Sequence, residues 1–157
     1  MIIKGLVDED FINYKLPSMF VICNHCSFKC NMYAGYQCCQ NVKLKNEPDI
    51  EISVEDLVER YMSNNITKAV VFGGLEPFDS WQDLLDFLEE FRKHTDDDVV
   101  IYTGYEKNML EWQLGKLKQF KNIVVKFGHY IPNVNTVYSD VLGITLASEN
   151  QFAERIS

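Results

Sequence analysis

All five cysteines of the chain lie between Cys23 and Cys39. Cys26-Ser27-Phe28-Lys29-Cys30 forms a Cys-x3-Cys pair, and the loop after it ends in Cys38, Cys39, Gln40 and Asn41. Cys26, Cys30 and one member of the vicinal pair make three thiolates, one too few for a closed tetrahedral metal site. An iron-sulfur cube held by three protein thiolates keeps one iron open, and an open iron can chelate a substrate. Ligand softness does not choose among zinc, copper and iron-sulfur clusters. Cys23, Cys26, Cys30 and Cys38 or Cys39 would satisfy zinc, although zinc ribbons usually draw on two separated Cys-x2-Cys knuckles and here the second pair is vicinal. Metal-free buried cysteines are the plainest alternative, but five thiols in one short polar stretch are poor core formers. The open iron-sulfur site fits the pattern best, and in it Cys23 is a bystander, since a fourth protein ligand would close the iron a substrate needs.

The rest of the chain must position that loop. With 157 residues, 46% of them apolar, it can bury one core, and a single domain spanning 1–157 is expected. A net charge of −8 works against a phosphate backbone, so nucleic acid is not an expected partner. No apolar run approaches the roughly 20 residues that cross a bilayer, and Met1 to Asp10 lacks the basic start and apolar stretch of a secretory signal. No membrane partner and a cytoplasmic location are the expectation. Clustered thiols in such a reducing compartment point to metal before disulfides.

Short apolar runs then alternate with amphipathic segments, the pattern of a parallel βα protein. Phe20 to Ile22 is a strand feeding the cysteine loop. Ser53 opens a helix with Val54, Leu57, Val58, Tyr61 and Met62 on one face. Lys68 to Phe72 is a buried strand ending at Gly73-Gly74, and Asp79 or Ser80 caps a helix striped by Trp81, Leu84, Leu85, Leu88 and Phe91. Val99 to Tyr102 and Ile123 to Phe127 are further strands, with a weaker helix over Glu106 to Phe120 between them. Lys43 to Pro48 is linker-like, and beyond Gly128 the periodicity fades. A complete βα barrel takes about 250 residues, so the expected architecture is α/β, a short, open partial barrel. The cysteine loop, Gly73-Gly74 and Thr103-Gly104 should all follow the C-terminal ends of strands, where α/β folds place their sites.

Gly73-Gly74-Leu75-Glu76-Pro77 taken alone is better read as an ordinary strand-to-helix turn, but downstream of a three-cysteine loop its glycines become candidates for close backbone approach to an amino-acid ligand on the open iron. Tyr102 and Thr103 end a strand at the same mouth. Lys126 is a charge within an apolar strand, which calls for a bound carboxylate or an escape to solvent. His25 reads as a loop residue, His94 as a cation at a helix end, and His129 lies near the mouth.

These segments together resemble the activating proteins of anaerobic, class III ribonucleotide reductases, a radical S-adenosylmethionine family. The likeness runs through Asp8 to Asn13, Phe20-Val21, Cys39-Gln40-Asn41, Gly73 to Pro77, Tyr102-Thr103-Gly104-Tyr105, Gly128 to Ile131 and Ala147 to Gln151. There are departures. The family spaces its ligands Cys-x3-Cys-x2-Cys, and Tyr33 stands where the third cysteine should fall: either the loop carries an insertion ending at Cys39, which the intact Cys26-x3-Cys30 and the Gln40-Asn41 that restores the family register favour, or the cluster is gone. Cys38 replaces the aromatic residue expected before that ligand, and Leu75 is an extra residue that shifts Glu76 relative to the glycines.

The resemblance implies a partial barrel of the radical S-adenosylmethionine type, with Cys26, Cys30 and Cys39 as ligands of a [4Fe-4S] cluster. It implies that Gly73, Gly74, Glu76, Tyr102, Thr103 and Lys126 contact S-adenosylmethionine. It further implies an oxidoreductase that cleaves this cofactor reductively and places a glycyl radical on a large reductase subunit, with flavodoxin or ferredoxin as electron donor. Activation of a different glycyl radical enzyme is a second expectation, ranked lower because pyruvate formate-lyase activases are longer. A non-catalytic iron-sulfur or zinc protein that binds a partner through its acidic surface is the third.

Overall fold

The computed structural model describes Met1–Ser157. In chain order its elements are β1 (Ile2–Asp10), β2 (Ser18–Cys23), α1 (Lys29–Ala34), β3 (Ile50–Glu51), α2 (Val54–Met62), β4 (Ala69–Gly73), α3 (Trp81–Phe91), β5 (Asp98–Tyr102), α4 (Glu111–Leu117), β6 (Ile123–Phe127), β7 (Val137–Ser139), β8 (Ile144–Leu146) and β9 (Phe152–Arg155). One seven-stranded sheet runs β3-β1-β2-β4-β5-β6-β9, and β7 pairs with β8 as a separate hairpin.

Strands β2, β4, β5 and β6 are mutually parallel. Every residue of β4 and β6 is buried, which is what strands covered on both faces require and why they read as continuous apolar runs. Their alternate residues serve two cores. Val70, Phe72, Val99, Ile101, Ile123 and Val125 meet the helices, where α2 contributes Leu57, Val58 and Tyr61 and α3 contributes Leu84, Phe87, Leu88 and Phe91. Ala69, Val71, Val100 and Val124 face the other way, under Tyr14, Leu142 and Leu146. Helix α2 starts where its cap dictates, with Ser53 Oγ accepting from the Asp56 amide at 2.9 Å.

The expected partial barrel of the radical S-adenosylmethionine type does not form. The architecture is a mixed α/β sheet with few, short helices. The parallel run stops at four strands: β1 adds antiparallel to β2, β3 antiparallel to β1, and β9 antiparallel to β6. A barrel fills its interior with side chains of its own strands. Here the second face is filled by Tyr14 and by residues around the β7–β8 hairpin. The helix expected over 106–120 is broken into a 3-10 turn at Lys107–Met109 and the seven residues of α4. The linker-like stretch holds a second 3-10 turn, Val42–Asn46.

Candidate iron-sulfur site

The C-terminal ends of the parallel strands open onto a cavity of about 360 Å³. Cys26, Cys30 and Cys39 all line it, while Cys23 and Cys38 do not. Cys23 ends β2 inside the main core, where burial pushes its thiol well above the ordinary range. Local hydrogen bonds fold the cysteine loop back on itself. Phe28 takes a left-handed conformation (φ 50°) to start α1, which carries Cys30 and closes at Gly35 in the left-handed region (φ 75°). Asn31 Oδ1 then accepts from the amides of Cys38 and Cys39, both at 2.9 Å, and Cys38 Sγ donates to the Cys30 carbonyl at 3.4 Å.

That fold returns Cys39 to the side of Cys30. The two thiols interact, which lowers the Cys39 pKa and raises that of Cys30. Cys26 is pushed up to about 11 by burial, opposed by the Phe28 amide at 3.3 Å from its sulfur. Ligation of metal would release these protons. No three Cys, His, Asp or Glu side chains converge as on a single ion, so the thiols stand around the cavity rather than about one point. Three soft donors lining one cavity, with no fourth cysteine in its lining, suit a [4Fe-4S] cluster with one open iron.

The opposite wall is built from β4, β5 and β6. Gly74 sits at φ +73°, and a Cβ there would lie 2.7 Å from Ile22 Cγ2, so both backbone conformation and space require glycine. Gly73 lies behind the lining. Leu75 is absorbed by a tight turn in which its amide donates to the Gly73 carbonyl at 2.9 Å, while the Glu76 amide donates to the His25 carbonyl at 2.8 Å. Leu75 therefore does not turn Glu76 away from the cavity. Glu76 is 6% exposed and lines the cavity. Its carboxylate accepts from Thr103 Oγ1 and the Gly104 amide, each at 2.8 Å, and from the Phe78 amide at 3.2 Å. Burial raises it to about 7 against the pull of those donors.

Lys126 also lines the cavity and is 8% exposed, so it does not escape to solvent. Its Nζ donates to the Gly128 carbonyl at 2.7 Å, a neutral partner, and burial lowers it to about 8 although Glu76 and Glu106 oppose the fall. Tyr102 donates its hydroxyl to the Asn13 carbonyl, and both residues border the cavity. His129 borders it as well, with Nδ1 3.3 Å from Glu106, whereas His94 pairs with Glu90 on α3. Asn13, Tyr105 and Gln151, which stood in the resembling segments without a site role, and the β8 residues Ile144, Thr145 and Leu146 also line the cavity. Tyr105 closes the Tyr-Thr-Gly-Tyr run, which was the available signal. The hairpin carried none.

A family model described as a 4Fe-4S single cluster domain matches residues 18–136, a span that holds the cysteine loop and β2 through β6. Neither a curated protein nor a solved structure matches the chain.

Proposed function

The chain belongs to the 4Fe-4S single cluster domain family, and from that premise we propose that it is a radical S-adenosylmethionine activase of an anaerobic ribonucleotide reductase. The observation that carries this reading is the shared lining: three cysteines, a buried carboxylate and a buried ammonium border one cavity of about 360 Å³. That volume falls within the range of small-molecule sites, roughly 300–1,000 Å³. Cys26, Cys30 and Cys39 hold the cluster. When bound, it supplies the electron, delivered by flavodoxin or ferredoxin, that splits the sulfonium into methionine and a 5'-deoxyadenosyl radical able to take hydrogen from a backbone glycine of the large reductase subunit.

The chain's own residues bind and orient. An amino acid moiety carries one charge of each sign, and the Glu76 carboxylate and Lys126 ammonium supply the complementary pair. Ionising Glu76 in the wall costs desolvation, and a bound ammonium offsets that cost. Gly74 leaves backbone open to the same ligand, and Tyr102 and Thr103 line the cavity beside it, their hydroxyls holding the Asn13 carbonyl and the Glu76 carboxylate in place.

Electron paramagnetic resonance of the anaerobically reconstituted, reduced protein tests this. A cluster spectrum that changes on adding S-adenosylmethionine is the expected result. An unchanged spectrum overturns the activase reading in favour of a closed electron-transfer or structural cluster, and bound zinc without iron overturns the cluster assignment too. Formation of a glycyl radical on a reductase or on a lyase subunit then separates the two activase readings.

A further inference from the structure

At the rim of the cavity, the Cys26–Cys30 turn is gripped by two side chains from the segments that follow β4 and β5. Asp79 lies in the 3-10 turn Pro77–Ser80 that follows β4. Its Oδ2 accepts from the Ser27 amide, inside the Cys-x3-Cys turn, at 2.8 Å, and its Oδ1 accepts from the Tyr105 hydroxyl at 2.5 Å. Tyr105 Oη lies 3.5 Å from Ser27 Oγ, and Lys29 Nζ lies 4.0 Å from the centre of the Tyr105 ring. The Tyr105 amide donates to Thr103 Oγ1 at 3.0 Å, the hydroxyl that itself donates to Glu76. Ser27 and Lys29 are two of the three residues between Cys26 and Cys30, and both are held from this one point.

We propose that Asp79 and Tyr105 are positioning residues for the cluster: they fix the Cys26–Cys30 turn against the cofactor wall, and the Asp79 charge holds the cluster's reduction potential down. The inference rests on the cluster assignment above and not on S-adenosylmethionine. A charge-assisted hydrogen bond to a backbone amide next to a ligand is stronger than a neutral one and restricts where that ligand's sulfur can sit. A fixed negative charge beside the cluster disfavours adding an electron to it. The two side chains divide the work, because Asp79 carries both the grip and the charge while Tyr105 carries only grip. Burial and the adjacent Asp79 carboxylate keep the Tyr105 hydroxyl protonated, raised to about 12, so it serves as a donor at neutral pH.

The experiment compares the wild type, Asp79→Asn, Asp79→Glu and Tyr105→Phe after anaerobic reconstitution. It uses two readouts, a potentiometric titration followed by electron paramagnetic resonance and the rate of iron release to a ferrous chelator. Asp79→Asn should raise the ratio of reduced to oxidised cluster at a fixed potential by about tenfold and speed iron release several-fold. Asp79→Glu should restore the potential. Tyr105→Phe should speed iron release several-fold while moving the potential much less. A loaded wild type whose Asp79→Asn and Tyr105→Phe variants match it in both readouts overturns the inference alone. A wild type that takes up no cluster overturns it together with the cluster assignment. If Asp79→Asn does not fold, Tyr105→Phe decides by iron release, since it leaves every charge in place.

Discussion

The two ends of the parallel strands use similar residues to opposite effect. At the N-terminal ends of β5 and β6, Asp98 accepts from the Tyr14 hydroxyl at 2.7 Å and from Arg155 at 2.8 Å, and Asp97 accepts from Tyr61 at 2.7 Å. Charge meets charge, and the Asp98 carboxyl is lowered by Arg155 and Tyr14 in spite of its burial. At the C-terminal ends, Glu76 and Lys126 are buried more deeply, and neither takes an oppositely charged side chain as its hydrogen-bond partner. Both are pushed toward neutrality, Glu76 upward and Lys126 downward. One end invests its polar groups in stability. The other keeps them in reserve, which is where a ligand's charges would be matched.

The largest expected effect is on metal. Cys39→Ala should take iron and acid-labile sulfide to background after reconstitution, while Cys23→Ala and Cys38→Ala keep a full cluster. Retention in Cys39→Ala with loss in Cys38→Ala would reassign the third ligand.

Next comes pH. In the cofactor-free protein Glu76 titrates at about 7 against an ordinary 4.5, so folding favours its protonated form and that contribution fades as pH rises from 4.5 through 7. Lys126 titrates at about 8 against 10.5, so folding disfavours its charged form and stability recovers as pH climbs from 8 to 10.5. The pair thus creates a stability minimum between pH 7 and 8. Urea unfolding at pH 5 and 7.5 should show a Glu76-linked fall of roughly 2 kcal/mol, absent in Glu76→Gln. An identical pH difference in that variant would remove the contrast between the two ends.

Asp98→Ala should cost ~2 kcal/mol by stranding the Tyr14 hydroxyl and the Arg155 guanidinium, with iron per folded protein unchanged. Loss of iron would mean that the two ends are coupled. The smallest effect is Gly115→Ala in α4. Nothing lies within 4 Å of the added Cβ, so a gain of roughly 0.5–1 kcal/mol in urea unfolding is expected.

Where periodicity was strong, the sequence located elements closely: β6 spans Ile123–Phe127 as expected, α2 begins at its Ser53 cap, and the stripe through Leu84, Leu88 and Phe91 is buried. Sheet order was not legible. β1 mixes Lys4, Gly5 and Asp8 among its apolar residues, and β9 is four half-exposed residues, so neither announces a strand, and without them four parallel strands suggest the wrong closure. Of the residues singled out in the sequence, Cys26, Cys30, Cys39, Gly74, Glu76, Tyr102, Thr103 and Lys126 line one cavity and Gly73 does not. Asn13 and Asp79 were missed because their roles depend on contacts made across the fold, with a backbone carbonyl used by Tyr102 and a backbone amide of the cysteine turn.

The covering of β6 by β9 also has a consequence in time. Lys126 stands on β6, whose outer edge is satisfied only when β9 pairs with it, and Gln151 just before β9 donates to the same Gly128 carbonyl that holds the ammonium. The cysteines leave the ribosome long before either arrives. Contacts so distant in sequence form late and slowly. During synthesis the cysteine loop therefore precedes the wall it faces, and Lys126 gains its full set of neighbours only once the strand that follows Gln151 is in place.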